Sequence, residues 1–547
     1  MLKSFTFFYT GVKIYSFGYG DFFSKIQPKG DKMKPQLLES LKGYKKSDLF
    51  KDLFAGLMVA IIALPLSIAL GIQSVPETVS TKGIQFGIIT AIVAGFFISA
   101  LGGSKFQIGG PTAAFVVILY GYLANPDIGL LGLAIAAMIA GVLLILMGIL
   151  KFGNVMKFFP YPITIGFTTG IGITLLIGQI KDLCGFTASG TEAIEKVISY
   201  IENIKTFDLA TFGVGAIGLL CVIGIPKINK KIPSAFVALI LCTLVTLLFN
   251  KVFDQNVATI GSRYGNIKAG FYPIDFDGIS SIKFSALIVP AIVIAFLCAI
   301  ESLLSATVAS GMTNTTFNPN QELVGQGVAN IFSSLLGGLP ATGAIARTAA
   351  SIENGAKSPL AGMFHAVFVL ILYFALMNVV KYIPLAVFSS ILISVAINMS
   401  RFKLFAKLSK FGIRDSIILF VTCILTVVFD LTYGVLGGVA VTFIVNIKNI
   451  KIGLKIENDD GDNQVDVKAK GTIFFINANK LVEKLDKIFE TADIIDLDLS
   501  EVERIDETAL EKLAVFNKKV AKNNKTLNLI GENEKTHNRI EKFYNVL

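Results

Sequence analysis

The dominant pattern in this chain is a series of long apolar runs separated by short polar stretches. Runs such as 130–150 and 364–380 reach or approach the roughly 20 residues that cross about 30 Å of hydrocarbon, and similar runs recur along most of the chain. The pattern predicts a polytopic α-helical membrane protein with about fourteen membrane segments, several of them short. Their predicted centres lie near residues 61, 93, 117, 140, 170, 218, 242, 296, 330, 348, 369, 390, 421 and 440.

A weak internal repeat divides these segments into two halves. Residues 96–103 (FFISALGG) resemble residues 331–338 (IFSSLLGG), and each copy ends an apolar run and precedes a short Gly/Pro-rich stretch. With seven segments in each half, the second copy starts on the opposite side of the membrane, which predicts a 7+7 inverted repeat. Such paired interruptions favour a transporter site, because broken helices aim N-terminal dipoles at an anion. The alternative is close helix packing through small residues.

The composition changes sharply after about residue 455. A polar linker is predicted at 457–463, followed by alternation at Val465 and Val467. Strands are predicted at 471–476, 494–499 and 527–531, and an amphipathic helix at 508–522. The tail is therefore a small α/β domain, and none of its sequence resembles a nucleotide-binding loop.

Composition and charge support a membrane protein. Of the 547 residues, 53% are hydrophobic and 16% are charged, and the mean hydropathy is +0.68. The formal net charge is +10, and we interpret it as lysines near lipid headgroups, with no nucleic-acid partner. With fourteen segments, the following basic residues share one side, which predicts that both termini are cytoplasmic: Lys45, Lys46, Lys151, Lys157, Lys227, Lys230, Lys231, Arg401, Lys403, Lys407, Lys410, Arg414, Lys448, Lys451 and Lys455.

The five cysteines are scattered singly, with no Cys-x-x-Cys spacing. This distribution indicates neither a disulfide framework nor a zinc site, and we expect no cofactor. The domain boundaries predicted from these patterns are a cytoplasmic leader at 1–48, a transmembrane transport domain at 49–449 and a cytoplasmic domain at 456–547.

Two charged residues in apolar surroundings are candidates for chemistry. Glu301 is the only acid in the run 288–308, and a carboxylate in hydrocarbon is costly unless it faces a cavity, a cation or a proton. Glu301 is therefore a candidate coupling site, with a structural hydrogen-bond anchor as the alternative; Ser305, one turn later, shares its face. Arg347 would add positive potential beside a helix N-terminus, or else its side chain would extend to the cytoplasmic surface.

Pro65 interrupts the first predicted span. A proline in a helix interior removes a backbone hydrogen bond, so we expect a break or kink there. That would leave Leu66, Ser67 and Leu70 able to face a cavity, although such kinks also serve packing.

Several motifs closely resemble the sulfate permease family, which comprises the solute carrier family 26 anion transporters and their bacterial relatives. The resemblance spans about 48–547, and its most specific stretches are 299–305 (AIESLLS), 320–330 (NQELVGQGVAN) and 337–348 (GGLPATGAIART). Residues 109–115 (GGPTAAF) resemble the family's third-segment motif. The tail resembles the family's STAS domain (sulfate transporter and anti-sigma factor antagonist) around 505–510 (IDETAL).

The resemblance implies a core domain and a gate domain, an elevator-like movement and a homodimer. It implies that the anion lies between the helix N-termini of segments three and ten, with the first segment lining the pocket. It also implies proton or sodium coupling at Glu301, which would contact the ion if sodium is used. The implied substrate-binding residues are Leu66, Leu70, Gly110, Pro111, Thr112, Ala113, Gly343, Ala344, Ala346 and Arg347. The implied coupling residues are Glu301, Ser305 and Thr342.

Two positions depart from the family pattern. Leu66 stands where some relatives have a polar or acidic residue, so anion binding would depend on backbone dipoles and Arg347. Glu507 follows the motif residue Asp506 where anti-sigma antagonists have a phosphorylatable serine, which leaves Thr508 as a weaker regulatory candidate.

The resulting functional expectation is secondary active transport of a small anion, of the sulfate or bicarbonate class, by symport with H⁺ or Na⁺. The chain is expected not to be an enzyme and to lie in a bacterial inner membrane. Its expected partners are the anion, the coupling ion, membrane lipid, a second copy of the chain and a protein that binds the STAS domain. One alternative is proton-coupled C4-dicarboxylate uptake. Another is an anion channel or a STAS-mediated scaffold.

Overall fold

The computed structural model describes residues 33–541 except 154–159, 188–189, 191, 230–231, 314, 401, 410–411, 430, 453, 460–463, 475–476, 491, 523–524 and 534–535. Most of the predicted leader therefore lies outside the described residues. The part of the leader that is described forms one short helix and the start of the first long one.

The membrane part consists of helices and two very short strands. The helices of its first half are α1 Gln36–Ser40, α2 Lys46–Ser74, α3 Gly83–Leu101, α4 Ala113–Ala124, α5 Gly129–Ile149, α6 Tyr161–Cys184, α7 Ala193–Glu202, α8 Leu209–Ile228 and α9 Ser234–Val252. Those of its second half are α10 Ile260–Tyr264, α11 Phe284–Thr313, α12 Pro319–Leu335, α13 Ile345–Glu353, α14 Leu360–Val380, α15 Leu385–Ser400, α16 Phe402–Leu408, α17 Ile413–Val428 and α18 Leu431–Ile452. The strands are β1 Gly109–Gly110 and β2 Thr342–Gly343.

Each of the predicted segment centres lies within one of these helices. In the described part of the chain, nine helical spans are long and apolar enough to cross a bilayer, and they lie at α2, α3, α5, α6, α8, α9, α11, α14 and α15. This confirms a polytopic helical membrane protein. The count of fourteen segments stays a prediction, because helices such as α4 and α13 are short.

The two Gly/Pro-rich stretches meet each other in the interior, where both short strands are buried. Strands β1 and β2 are antiparallel, with Gly109 opposite Gly343 and Gly110 opposite Thr342. Because β1 leads into α4 and β2 leads into α13, antiparallel strands send these two helices away in opposite directions. This is the relation that the inverted repeat predicts.

Helix α2 runs without interruption through Pro65, so the predicted break does not occur. The proline lacks a backbone N–H, but α2 is packed against α3 and α14 along its length. Helices of this kind tolerate proline because neighbouring helices and nearby hydroxyl groups satisfy the freed backbone groups. The carbonyl that Pro65 leaves without its helical partner is that of Ile61; Ser67 Oγ donates within the helix to the Ala63 carbonyl oxygen at 2.7 Å.

The described part of the C-terminal domain contains a four-stranded sheet, two long helices and a short helical stretch at 536–541. Its elements are β3 Leu454–Asp459, β4 Gln464–Ile473, α19 Ala478–Ile488, β5 Ile494–Ile505, α20 Glu507–Lys522 and β6 Thr526–Ile530. The strand order is β3-β4-β5-β6; β3 and β4 are antiparallel and the other pairs are parallel. This confirms the predicted α/β tail, in which α19 was not predicted.

The predicted linker is wrong in its first part, because residues 457–459 belong to β3. Strand β3 lies at the edge of the sheet, and edge strands are often polar because charged residues discourage pairing with other chains. That polarity made the strand resemble a linker. The rest of the linker, 460–463, lies outside the described residues.

Candidate functional site

Arg347, in the first turn of α13, is the most unusual charged group in the membrane part. Its side chain is 1% exposed, so it does not extend to the surface. Its Nη1 donates to the Gly109 carbonyl oxygen at 3.2 Å, and its Nη2 donates to Ser67 Oγ at 3.1 Å. Both partners are neutral, and Arg347 forms no ion pair within the described residues.

An uncompensated buried charge is energetically expensive. Removing an ion from water costs several kcal/mol even after the protein relaxes, and hydrogen bonds to neutral groups recover only part of that. The Nε atom of Arg347 is also buried, and it has no hydrogen-bond partner among the residues that the structure describes. The guanidinium group is therefore an incomplete site that an anion would complete.

Two helix N-termini accompany Arg347. Helix α4 begins at Ala113 and α13 at Ile345, and neither N-cap residue, Thr112 or Ala344, caps its helix with a side-chain hydrogen bond. A helix N-terminus has a partial positive charge and N–H groups without helical partners. Since β1 and β2 pair directly before these helices, both positive ends are held close to the same point.

Glu301 of α11 is connected to this point. Its Oε2 accepts a hydrogen bond from Thr112 Oγ1 at 2.9 Å, and its side chain is half-buried. A change in the charge of Glu301 would therefore change the electrostatic potential at the N-terminus of α4. This hydrogen bond joins Glu301, the principal coupling candidate, to Thr112, one of the substrate-binding candidates.

The other two coupling candidates make separate contacts. Ser305 Oγ donates to Thr348 Oγ1 at 3.3 Å, and Thr342 Oγ1 donates to the Cys298 carbonyl oxygen at 3.2 Å. Across the described ranges, no group of three or more His, Cys, Asp or Glu side chains could hold a metal ion. A sodium ion at Glu301 would therefore need hydroxyl and carbonyl oxygens as its further ligands.

The remaining substrate candidates lie in the same region, and their contacts to an anion stay predictions. Gly110 and Gly343 are in the paired strands, and the Ala344 N–H donates to the Ile108 carbonyl oxygen at 2.9 Å. The others differ in exposure: Pro111, Ala113 and Leu70 are buried, Leu66 is half-buried, and Ala346 is exposed.

Ser67 was expected to face a cavity, and its hydroxyl group accepts a hydrogen bond from Arg347.

Two residues of the site were not predicted. Gln107 donates through Nε2 to the Ser302 carbonyl oxygen at 2.9 Å, and Thr348 Oγ1 accepts from the Ile108 N–H at 3.1 Å. The available signal was a polar residue in the Gly/Pro-rich stretch that follows the first copy of the repeat, and another at the end of the stretch that follows the second copy.

Gly110 has a φ of +150°, which favours glycine, and a Cβ there would collide with the Arg347 guanidinium group. We therefore expect Gly110→Ala to displace the guanidinium and raise the KM for anion uptake by about tenfold or more. Gly121→Ala is the matched control, because a Cβ at this helical glycine would have no heavy atom within 4 Å. Equal KM values for the two variants in a radiolabel uptake assay would contradict this prediction.

In the C-terminal domain, Asp506 acts as a helix cap. Its Oδ1 accepts from the Ala509 N–H at 2.7 Å, in the first turn of α20. Thr508 is 2% exposed, so a kinase would reach it only after α20 separated from the sheet. A regulatory role for Asp506 or Thr508 stays a prediction.

Comparisons with known proteins match both parts of the chain. The model of the sulfate permease family matches residues 49–422, and the model of the STAS domain matches residues 455–544. A Bacillus subtilis (strain 168) protein named as a candidate sulfate transporter, YvdB, is 36% identical over 502 residues, which cover 90% of this chain and 93% of that protein. The bicarbonate transporter BicA of Picosynechococcus is 31% identical, over 73% of this chain and 70% of that protein.

Solved structures agree on the fold. The transmembrane domain of a cyanobacterial bicarbonate transporter, BicA, matches with a TM-score of 0.65 at 28% identity, covering 74% of this chain and 100% of that one. The anion transporter solute carrier 26 family member A9 matches with a TM-score of 0.66 at 18% identity, covering 94% of this chain and 90% of that one. The second likeness concerns the fold alone.

Proposed function

Because the chain belongs to the sulfate permease family, we propose that it carries a small anion of the sulfate or bicarbonate class across a membrane. The observation that carries the proposal is Arg347, a buried guanidinium group with only neutral partners beside two helix N-termini without side-chain caps. The names of the relatives, which are sulfate and bicarbonate transporters, support the same substrate class.

The anion would bind between the N-termini of α4 and α13. Its negative charge would compensate the Arg347 guanidinium group, and its oxygens would accept hydrogen bonds from the first-turn N–H groups. The substrate-binding residues of this proposal are those around Gly110–Ala113 and Gly343–Arg347, with Leu66 and Leu70 of α2 at the side. This arrangement recognises charge and small size without an enzymatic step, and we propose no enzymatic activity.

Coupling would act through Glu301. An ionised carboxylate that is bonded to Thr112 lowers the positive potential at the start of α4, which opposes anion binding. A proton or a sodium ion on Glu301 removes that opposition, so the anion and the cation bind better together than separately. This mutual preference is the basis of symport, with Ser305 and Thr342 in supporting positions on α11 and β2.

The arrangement in the membrane is also part of the proposal. The leader (1–48), the transport domain (49–449) and the STAS domain (456–547) would lie in a bacterial inner membrane with both termini cytoplasmic. The basic residues between the predicted segments support this orientation. The protein would act as a homodimer whose STAS domain binds a further protein.

Transport by the purified protein in liposomes tests the function. Labelled sulfate, bicarbonate and succinate are offered with an imposed H⁺ gradient, an imposed Na⁺ gradient or neither. With the membrane potential held at zero, we expect one inorganic anion to accumulate about tenfold under a tenfold gradient of one cation, because the two free energies are then equal for one-to-one coupling. Protein-free liposomes provide the background.

Each other outcome has a distinct meaning. Uptake that ignores both gradients contradicts the coupling, and passive flux at channel rates favours the anion channel. Accumulation of succinate alone would replace the substrate class with C4-dicarboxylates. The absence of flux for all three anions contradicts the proposed function and favours the STAS-mediated scaffold.

A further inference from the structure

One of the three most specific stretches of the sequence, 320–330, lies in α12, which supplies none of the proposed anion contacts. Glu322, Gln326 and Asn330 are each 0% exposed and are spaced four residues apart, so they form one buried polar face. Gln326 Nε2 donates to Glu322 Oε1 at 2.9 Å, and Asn330 Nδ2 donates to the Gln326 carbonyl oxygen at 2.8 Å. We call these three residues the polar ladder.

Glu322 holds the backbone that leads into the first interrupted helix. Its Oε2 accepts from the Gly103 N–H at 2.9 Å and from the Ser104 N–H at 3.0 Å, in the stretch between α3 and β1. The carboxylate also lies in the first turn of α12, where the helix dipole favours a negative charge. The bonds of Glu322 thereby fix the stretch that precedes β1.

Asn330 does the same for the second interrupted helix. Its Oδ1 accepts from the Ala341 N–H at 2.8 Å, and its Nδ2 donates to the Ala341 carbonyl oxygen at 2.9 Å. The side-chain amide thus pairs with the backbone as a neighbouring strand would. Ser333 adds a hydrogen bond from Oγ to the Leu339 carbonyl oxygen at 2.9 Å.

The polar ladder also contacts the coupling helix. The thiol of Cys298 in α11 donates to the Ala341 carbonyl oxygen at 3.2 Å and accepts from Asn330 Nδ2 at 3.6 Å. Cys298 lies three residues before Glu301, so both residues are on the same side of α11. One face of α12 therefore contacts the stretch before β1, the stretch before β2 and the helix α11 that carries Glu301.

We infer that the polar ladder positions the anion site by fixing the separation of the two helix N-termini. Unwound backbone inside a membrane has no helical hydrogen bonds, so its position depends on the side chains that bind it. Recognition of a small anion by two opposed N-termini requires their spacing to be held within a fraction of an ångström. Glu322, Gln326 and Asn330 are positioning residues, which act through β1 and β2 without touching the anion. This inference rests on the proposed function.

The test compares KM with thermal stability in folded variants. Asn330→Ala and Glu322→Gln each loosen one interrupted stretch, and we expect each to raise the KM for sulfate or bicarbonate by about tenfold with a smaller change in kcat. Ser333→Ala, which loses one hydrogen bond, should raise it by about threefold. A merely structural role would lower the melting temperature and the yield while leaving the KM of the folded fraction unchanged.

Ser334→Ala is the matched control. Ser334 is adjacent to Ser333 and equally buried, but its Oγ has no hydrogen-bond partner among the described residues. If Asn330→Ala does not fold, the inference is tested by comparing the KM of Ser333→Ala with the KM of Ser334→Ala. If the unmodified protein transports the anion and every folded variant has the KM of the control, the inference is overturned while the proposed function stands. An unmodified protein that transports neither sulfate nor bicarbonate would instead contradict the proposed function on which it rests.

Discussion

Replacement of Arg347 by glutamine is expected to reduce the initial rate of anion uptake at low concentration by about hundredfold or more. The substitution removes the full positive charge that Arg347 offers the anion and at least one charge-assisted hydrogen bond, and such bonds are worth roughly 1.5–3 kcal/mol each. The measurement is the uptake rate of labelled sulfate and bicarbonate in liposomes.

Two further variants make the Arg347 result interpretable. Arg347→Lys keeps the charge but loses the planar fork, so we expect an intermediate rate. Ser351→Ala is the control: it lies one turn later in α13, is buried, and has an Oγ without a hydrogen-bond partner in the described residues. A glutamine variant whose uptake rate at low anion concentration equals that of the Ser351→Ala control would refute direct anion binding by Arg347.

The sequence predicted the helical membrane fold well because its signals are local. An apolar run of sufficient length needs no partner to be recognised, and α5 and α14 followed directly from such runs. The proximity of the two interrupted stretches was also expected, because the family resemblance implied an anion between the helix N-termini that follow them; their pairing as strands β1 and β2 was not predicted. The family resemblance is confirmed over 49–422.

The contacts of Arg347 could not be predicted, because they depend on residues far away in the chain. Ser67 lies 280 positions before Arg347, and no spacing pattern in either segment encodes that hydrogen bond. An arginine at the start of an apolar helix is compatible with a site and with a surface position, and only the packed neighbours separate the two. The polar ladder illustrates the same limit, since its partners lie in stretches before β1 and β2.

The break that was one of the two predicted outcomes at Pro65 does not occur, for a related reason, while a kink there stays a prediction. Proline removes one helical hydrogen bond, but whether the helix breaks depends on the helices packed around it. Local rules describe an isolated helix, and α2 is a packed one. Errors of this kind are therefore expected where tertiary contacts replace a missing local hydrogen bond.

The second large effect is expected at Glu301. Glu301→Gln should abolish accumulation driven by the cation gradient while leaving exchange of labelled anion across the membrane measurable. Glutamine is nearly isosteric, and its Oε1 can still accept the hydrogen bond from Thr112, so the start of α4 keeps its partner. It cannot bind a proton in the physiological range or offer a negative charge to sodium. The anion site would therefore lose its dependence on the cation without losing the anion.

The measurement compares two quantities in the same liposomes: the accumulation ratio under an imposed gradient and the rate of anion exchange without one. For the proton-coupled case, uptake by the unmodified protein should rise as the external pH falls, and uptake by the glutamine variant should not. Glu353→Gln is the control, because Glu353 is an exposed acid at the end of α13. Concentrative uptake that persists in Glu301→Gln would remove the carboxylate from the coupling mechanism. Loss of exchange together with accumulation would instead assign Glu301 to the binding of the anion itself.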